Sequence, residues 1–226
     1  MTTSNSCVSA VVSVDDPWSP QMPQWAIATR SRRGESICGD RGLVLRIPCG
    51  VLFSAIDGLG HGPDAAVAAR AAATAVQQGA AHTGSDLIAT LRKCHVALRA
   101  TRGAAITVAF LSLASNTLTW LGVGNVEGRI LGPAYRDSAP GRSLAPLRGL
   151  AGRDLPTLRV ATTSVRRGDI VALATDGVDT GFADRLEPAG APAAIADRIL
   201  AEHWDGNDDA LVVIVRWLGA TSDGDS

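Results

Sequence analysis

Four acidic positions share one local setting along this chain. Asp40 follows Gly39, Asp57 precedes Gly58-Leu59-Gly60-His61-Gly62, Asp176 lies in Thr175-Asp176-Gly177, and Asp208-Asp209 follow Gly206-Asn207. Each falls at an end of a predicted strand, beside residues that let the backbone bend sharply or approach a ligand closely. Aspartate is common in turns, so any one of them alone reads as a turn residue. Four in one domain admit a second reading, an oxygen-only cluster. Crowded carboxylates repel one another and resist ionisation, and a divalent cation removes that penalty. Oxygen donors without His or Cys partners select Mg²⁺ or Mn²⁺ over Zn²⁺. On the residues alone, turn carboxylates and metal cluster stand level.

The elements that must position these residues can be read from hydrophobic pattern and turn chemistry. Leu43 to Ile47 and Val51 to Ile56 are apolar runs separated by Pro48-Cys49-Gly50, a hairpin signal that puts Asp57 where a strand leaves the core. Gln24 to Arg30 is a further short strand. Pro63 to Gln78 reads as a helix, with proline in its first turn and Asp64 near its positive end. Eight of the twelve residues from Ala65 to Val76 are alanine, which permits close approach to a neighbour. Ser85 is the expected N-cap of a second helix, Asp86 to Ala100. Strands follow at Ala104 to Leu113, Thr117 to Val123, Val126 to Leu131, Thr157 to Val165 and Ile170 to Ala174. Residues 132–156 form a long irregular connection of the kind that often carries function. A short helix near 179–185, an amphipathic helix from Ala191 to His203 and a strand from Ala210 to Trp217 complete the chain. Strand and helix do not alternate, so the pattern fits an α+β fold of mixed antiparallel sheets with helices packed outside.

Bulk properties narrow the function. The 226 residues, with a net charge of −1, fit one domain without a basic field for nucleic acid or anionic lipid. Residues 1–22 and 219–226 read as flexible tails around a domain at 23–218. From Gly103 to Val126 there is no charge, but scattered Ser, Thr and Asn and a turn at Ser115-Asn116 make this two strands rather than a membrane span. Cys7, Cys38, Cys49 and Cys94 form no CxxC pair, and the N-terminus lacks a basic region followed by an apolar run. A reduced cytoplasm is the expected location, with neither nucleic acid nor membrane as a partner. Nothing in the sequence specifies an oligomeric state.

Taken together, Gly39-Asp40, Asp57-Gly58-Leu59-Gly60-His61-Gly62, Thr175-Asp176-Gly177 and Asp208-Asp209-Ala210-Leu211 resemble, in order and spacing, the metal-dependent type 2C (PPM) protein phosphatases. The likeness is strongest to the bacterial SpoIIE-type branch. The segment Leu118 to Gly128 is closer still to the small single-domain RsbX-like phosphatases of stressosome regulation, whereas other SpoIIE-type members tend to have a Gly-His-Pro type turn there. The resemblance covers about residues 24–217 and implies an αββα sandwich, two antiparallel sheets flanked by helices, with a two-metal centre at one end.

By the same resemblance, Asp57 would bridge two Mn²⁺ or Mg²⁺ ions and Gly58 would lend its carbonyl to one. Asp176 and Asp208 would hold the second, Asp40 would ligate or orient metal water, and Asp209 ranks behind Asp208. The implied reaction is hydrolysis of phosphoserine or phosphothreonine by activated water, with Asp57 and Asp176 central to catalysis. The leaving oxygen would take its proton from water or from His61. The substrate implied is a phosphorylated regulatory protein of the STAS-domain type. Arg32, Arg33 and Arg41 are candidate phosphate partners. Cys38 lacks a Cys-x5-Arg phosphate loop and reads as packing. Two competing readings are a non-catalytic module that kept the fold and a small-phosphoester hydrolase. With short tails, regulation is expected from expression, partner binding or metal occupancy.

Overall fold

The computed structural model describes residues 22–47, 49–83, 85–132, 142–185 and 187–219. Within them the chain runs β1 (Gln24–Arg30), β2 (Asp40–Ile47), β3 (Gly50–Gly58), α1 (Gly62–Thr83), α2 (Leu87–Leu98), β4 (Ala104–Ser112), β5 (Thr117–Val123) and β6 (Glu127–Leu131). It continues through β7 (Arg142–Leu144), β8 (Ala161–Ser164), β9 (Ile170–Ala174), α3 (Phe182–Arg185), α4 (Pro192–His203) and β10 (Ala210–Arg216). The strands form two sheets, β1-β10-β9-β6-β7 and β2-β3-β4-β5-β8. Neighbouring strands in both are antiparallel.

The near-continuous apolar runs have a simple cause. Both faces of each sheet are covered, so alternate side chains enter different cores. In β10, Leu211, Val213 and Val215 face the other sheet, where they meet Val44 and Phe53. Val212 and Ile214 face outward and pack with Ile195, Ile199 and Leu200 of α4. Across the molecule, Leu43, Leu52 and Ile56 pack against the alanines of α1 and Leu91 and Leu98 of α2. The layers are therefore helix, sheet, sheet, helix, the expected αββα sandwich.

The small residues of α1 bring it against the strands that carry the acidic motifs. A Cβ on Gly58 would lie 2.1 Å from the Ala65 carbonyl oxygen, and one on Gly39 would lie 2.7 Å from the Ala65 Cβ. The first turn of α1 thus rests directly on the ends of β2 and β3. Asp86, rather than Ser85, caps α2: its carboxylate accepts the Ala89 N–H at 2.9 Å, and its φ of −73° and ψ of 90° lie outside the helix. Ser85 stands one residue further out, and a carboxylate complements the positive helix end.

The uncharged stretch from Gly103 to Val126 is the β4–β5 hairpin with its flanks, turning at Asn116, whose φ of 52° suits asparagine. No helix of the described residues is long and apolar enough to cross a membrane. The irregular connection expected over 132–156 is more ordered than its composition suggests, although residues 133–141 lie outside the described residues. Leu144 pairs with Gly128, Leu147 bridges Val123, and Ala151 bridges Ala104. The strand expected from Thr157 shortens to Ala161–Ser164, the four residues that pair with Thr117 to Trp120. Pro48 and the expected tails, apart from Met22 and Gly219, also lie outside the described residues.

Candidate functional site

Strand direction gathers the acidic motifs at one end of the sandwich. β3 and β9 run toward that end, while β2 and β10 start from it. Asp40, the first residue of β2, lies directly opposite Asp57 in the ladder. Asp176 is two residues beyond β9 and Asp208 two before β10, and Ala174 pairs with Val212 between these strands. Two carboxylates thus come from each sheet.

Their electrostatics reflect this crowding. Burial first, then the charges of Asp176 and Asp208, push Asp57 up to about 8. Asp40 is 3% exposed, and burial together with Asp57 holds it well above the usual carboxylate range. Burial and Asp208 also raise Asp176. The charges that act most on Asp40, Asp57 and Asp176 are those of the other acids. Hydrogen bonds provide the opposing pull. Asn125, in the β5–β6 connection, donates its amide to Asp176 at 2.6 Å and also bonds Asp57. Thr175 donates its hydroxyl to Asp40 at 2.6 Å and accepts the Leu211 N–H at 2.8 Å. A hydrogen bond joins Asp57 and Asp176 themselves. These contacts hold the acids individually, and among the described residues no three His, Cys, Asp or Glu side chains already converge as an ion's ligand set.

The donor set fits a hard divalent cation in its chemistry: oxygen only, anionic and partly buried. Asp209 differs from the other acids. Its two carboxylate oxygens accept the Arg32 and Gly39 N–H groups at 2.9 and 2.8 Å, which ties the β1–β2 connection to the start of β10. Asp208 accepts the Asp209 N–H on Oδ1 at 2.8 Å, and its carbonyl receives the Trp204 indole N–H at 2.8 Å. Gly177 is required beside this pair, since a Cβ there would lie 2.0 Å from the Asp209 carbonyl oxygen.

Two hollows open on the cluster. One, of about 380 Å³, is lined by Asp57, Asn125, Arg148, Gly149 and Leu150 among others. The other, of about 650 Å³, contains Asp176 and Asp208 with Asp179, Asp184, Glu202 and Asp205. His61 lines neither. It is exposed, with Nδ1 3.0 Å from Glu35 of the β1–β2 connection. Arg32, Arg33 and Arg41 also lie outside the Asp57 cleft. The Arg33 N–H bonds the Gly206 carbonyl at 3.1 Å and its side chain covers Gly206. Cys38 is buried, with its thiol 3.7 Å from the Arg30 carbonyl, as expected of a packing residue. Sequence reasoning had assigned no role to Asn125, Thr175 or Arg148. Thr175 adjoins Asp176 in its motif, Asn125 lies in the segment that carries the RsbX-like resemblance, and Arg148 lies in the connection marked only by its length.

Likeness to known proteins was found for most of the chain. Residues 49–218 match the family described as Stage II sporulation protein E (SpoIIE). The chain is 24% identical over 149 residues to phosphoserine phosphatase RsbX of Bacillus subtilis (strain 168), covering 66% of this chain and 71% of RsbX. A crystal structure of RsbX in complex with magnesium shares the fold, with a TM-score of 0.74 at 20% identity over 86% of this chain and 95% of that one. A chain from a structure of the bacterial stressosome, described as a modular system adapted to control secondary messenger signaling, matches with a TM-score of 0.78 and 27% identity. That likeness covers 86% of this chain and 99% of the stressosome chain. The SiaA-PP2C domain of Pseudomonas aeruginosa matches with a TM-score of 0.71 at 20% identity over 85% of this chain and 84% of the domain.

Proposed function

The chain belongs to the SpoIIE family of type 2C-like protein serine/threonine phosphatases, and from that premise we propose that it dephosphorylates a bacterial regulatory protein with two Mn²⁺ or Mg²⁺ ions. Asp57, Asp176 and Asp208 are the proposed side-chain ligands, with Asp57 between the two positions and the Gly58 carbonyl completing one. The observation that carries the reading is the set of buried and partly buried carboxylates, drawn from both sheets and raised by burial and mutual repulsion. When bound, the ions supply positive charge for the phosphoryl oxygens and a source of acidified water.

The residues of the chain have separate tasks in this proposal. Asp57 and Asp176, both bonded by Asn125, would present their oxygens to the ions. Asn125 keeps the two side chains at a fixed spacing. Asp40, backed by Thr175, lies behind Asp57 and orients water in the site. Asp209 is assigned the loop contacts described above, which leaves Asp208 as the ligand of that pair. His61 is assigned to the tie with Glu35, and water in the cleft supplies the proton for the leaving seryl or threonyl oxygen.

The proposed substrate is a phosphorylated STAS-domain protein, supported by the RsbX relative and the stressosome neighbour. The proposed location is the cytoplasm, in keeping with the buried free thiols of Cys38 and Cys94, the latter pushed up to about 12 by burial. The test is release of phosphate from such a phosphoprotein with Mn²⁺, using Asp176→Asn as control. Loss of one anionic donor is expected to cut kcat/KM about 100-fold or more. Full activity in Asp176→Asn, or activity surviving strong chelation, would sink the metal reading. Absence of release from the wild-type protein would favour the non-catalytic module.

A further inference from the structure

The ions proposed above would offset the charge of the acids, and a cation of the chain lining the same cleft would give the phosphate dianion a second positive contact. Among the described residues, Arg148 is the basic residue that lines the 380 Å³ cleft together with Asp57 and Asn125. It is exposed, and no described residue pairs with its guanidinium. The other arginines nearby are engaged. Arg102 pairs with Asp64 at 2.6 Å, and Arg153 donates to the Thr101 and Arg102 carbonyls at 2.9 and 3.3 Å.

The backbone that carries Arg148 is fixed on both sides. Leu147 exchanges hydrogen bonds with Gly122 and Gly124 at 2.7 and 2.9 Å. Leu150 donates to Asp154 at 2.8 Å, and Ala151 forms two 3.0 Å bonds with Ala104. Between these ties the chain turns at Gly149, whose φ of 145° excludes most side chains and whose Cβ would lie 2.6 Å from the Asp154 carbonyl oxygen. Strands β4 and β5, in the same sheet as the β3 strand that carries Asp57, therefore hold the Arg148 backbone.

We propose that Arg148 binds the phosphate group of the substrate in the cleft it shares with Asp57, through the planar fork that suits phosphate oxygens. The proposal rests on the phosphatase reading above and adds the residue that recognises the phosphate. It predicts that Arg148→Ala raises KM for both a phosphoprotein and p-nitrophenyl phosphate, and raises Ki for inorganic phosphate, by about 10-fold or more. Arg148→Lys should recover part of each loss. Mn²⁺ affinity, measured by titration, and thermal stability should stay unchanged, because the side chain touches neither the acids nor the core.

An unchanged Ki for phosphate in Arg148→Ala would overturn the proposal, even if KM for the phosphoprotein rose, since that pattern marks a contact with the protein part of the substrate. If the wild-type protein with Mn²⁺ turns nothing over, the phosphatase reading fails separately. Equilibrium binding of inorganic phosphate to the Mn²⁺-loaded protein then decides: weaker binding by Arg148→Ala supports the assignment, and equal binding by both proteins refutes it.

Discussion

At Asp57, burial and two neighbouring carboxylates act in the same direction and push the acid up to about 8, while Asp40 and Asp176 are raised with it. In the unfolded chain the same group titrates near 3.8. Between these values the folded, metal-free protein binds more protons than the unfolded one, so stability falls as pH rises from about 4 to about 8. The slope contributed by one such acid is at most about 1.4 kcal/mol per pH unit. Urea unfolding in chelator at pH 5 and pH 8 should show this decline, and Asp57→Asn should flatten most of it. A metal-free protein as stable at pH 8 as at pH 5 would count against the crowding described here. The aspartates themselves were legible in the sequence, because glycine or asparagine beside an acid at a strand end is a local pattern. Asn125, Thr175 and Arg148 were not, since their roles depend on which strand ends meet, and that is settled only by the pairing of distant segments.

Gly58 belongs to the scale of elements. The resemblance explained it by a carbonyl offered to a metal, and the packing of α1 gives it a second reason. An added methyl group would press on the Ala65 carbonyl and lift the first turn of α1 from β3. Gly58→Ala is expected to destabilise even the metal-free protein, by about 1–3 kcal/mol in denaturant titrations. A role confined to ligation would leave metal-free stability unaltered. Element boundaries were legible where one periodicity ruled: β1, β5 and β9 begin and end where their patterns do. The expected second helix was one residue long at its start and two at its end, because Asp86 outcompetes Ser85 as the cap and Arg99 already ends the helix. Residues 145–155 could not be read as ordered, since their bonds go to β4 and β5 rather than to near neighbours.

For the molecule as a whole, the two sheets and their outer helices build one scaffold whose site end is held open by mutual repulsion. Ligands that bind only the folded state stabilise it by mass action, by about 2.7 kcal/mol at one hundred times Kd. Saturating Mn²⁺ is therefore expected to raise Tm by several degrees, reversibly on chelation, with a gain that grows with Mn²⁺ concentration. A Tm indifferent to Mn²⁺ would remove the metal centre from the proposal.

The Asp40–Thr175 bond and the bond from the Gly39 N–H to Asp209 pass between the sheets at the site end. Thr175 and Asp209 follow the course of β9 and β10, while Gly39 and Asp40 lead into β2. The site is thus a seam rather than an ornament on one sheet. A flexible loop carrying the same acids could melt while the core survived, and function would then fade gradually before the fold did. Here separation of the sheets and loss of the ligand geometry are one event, so the protein should work fully until it unfolds and not at all afterwards.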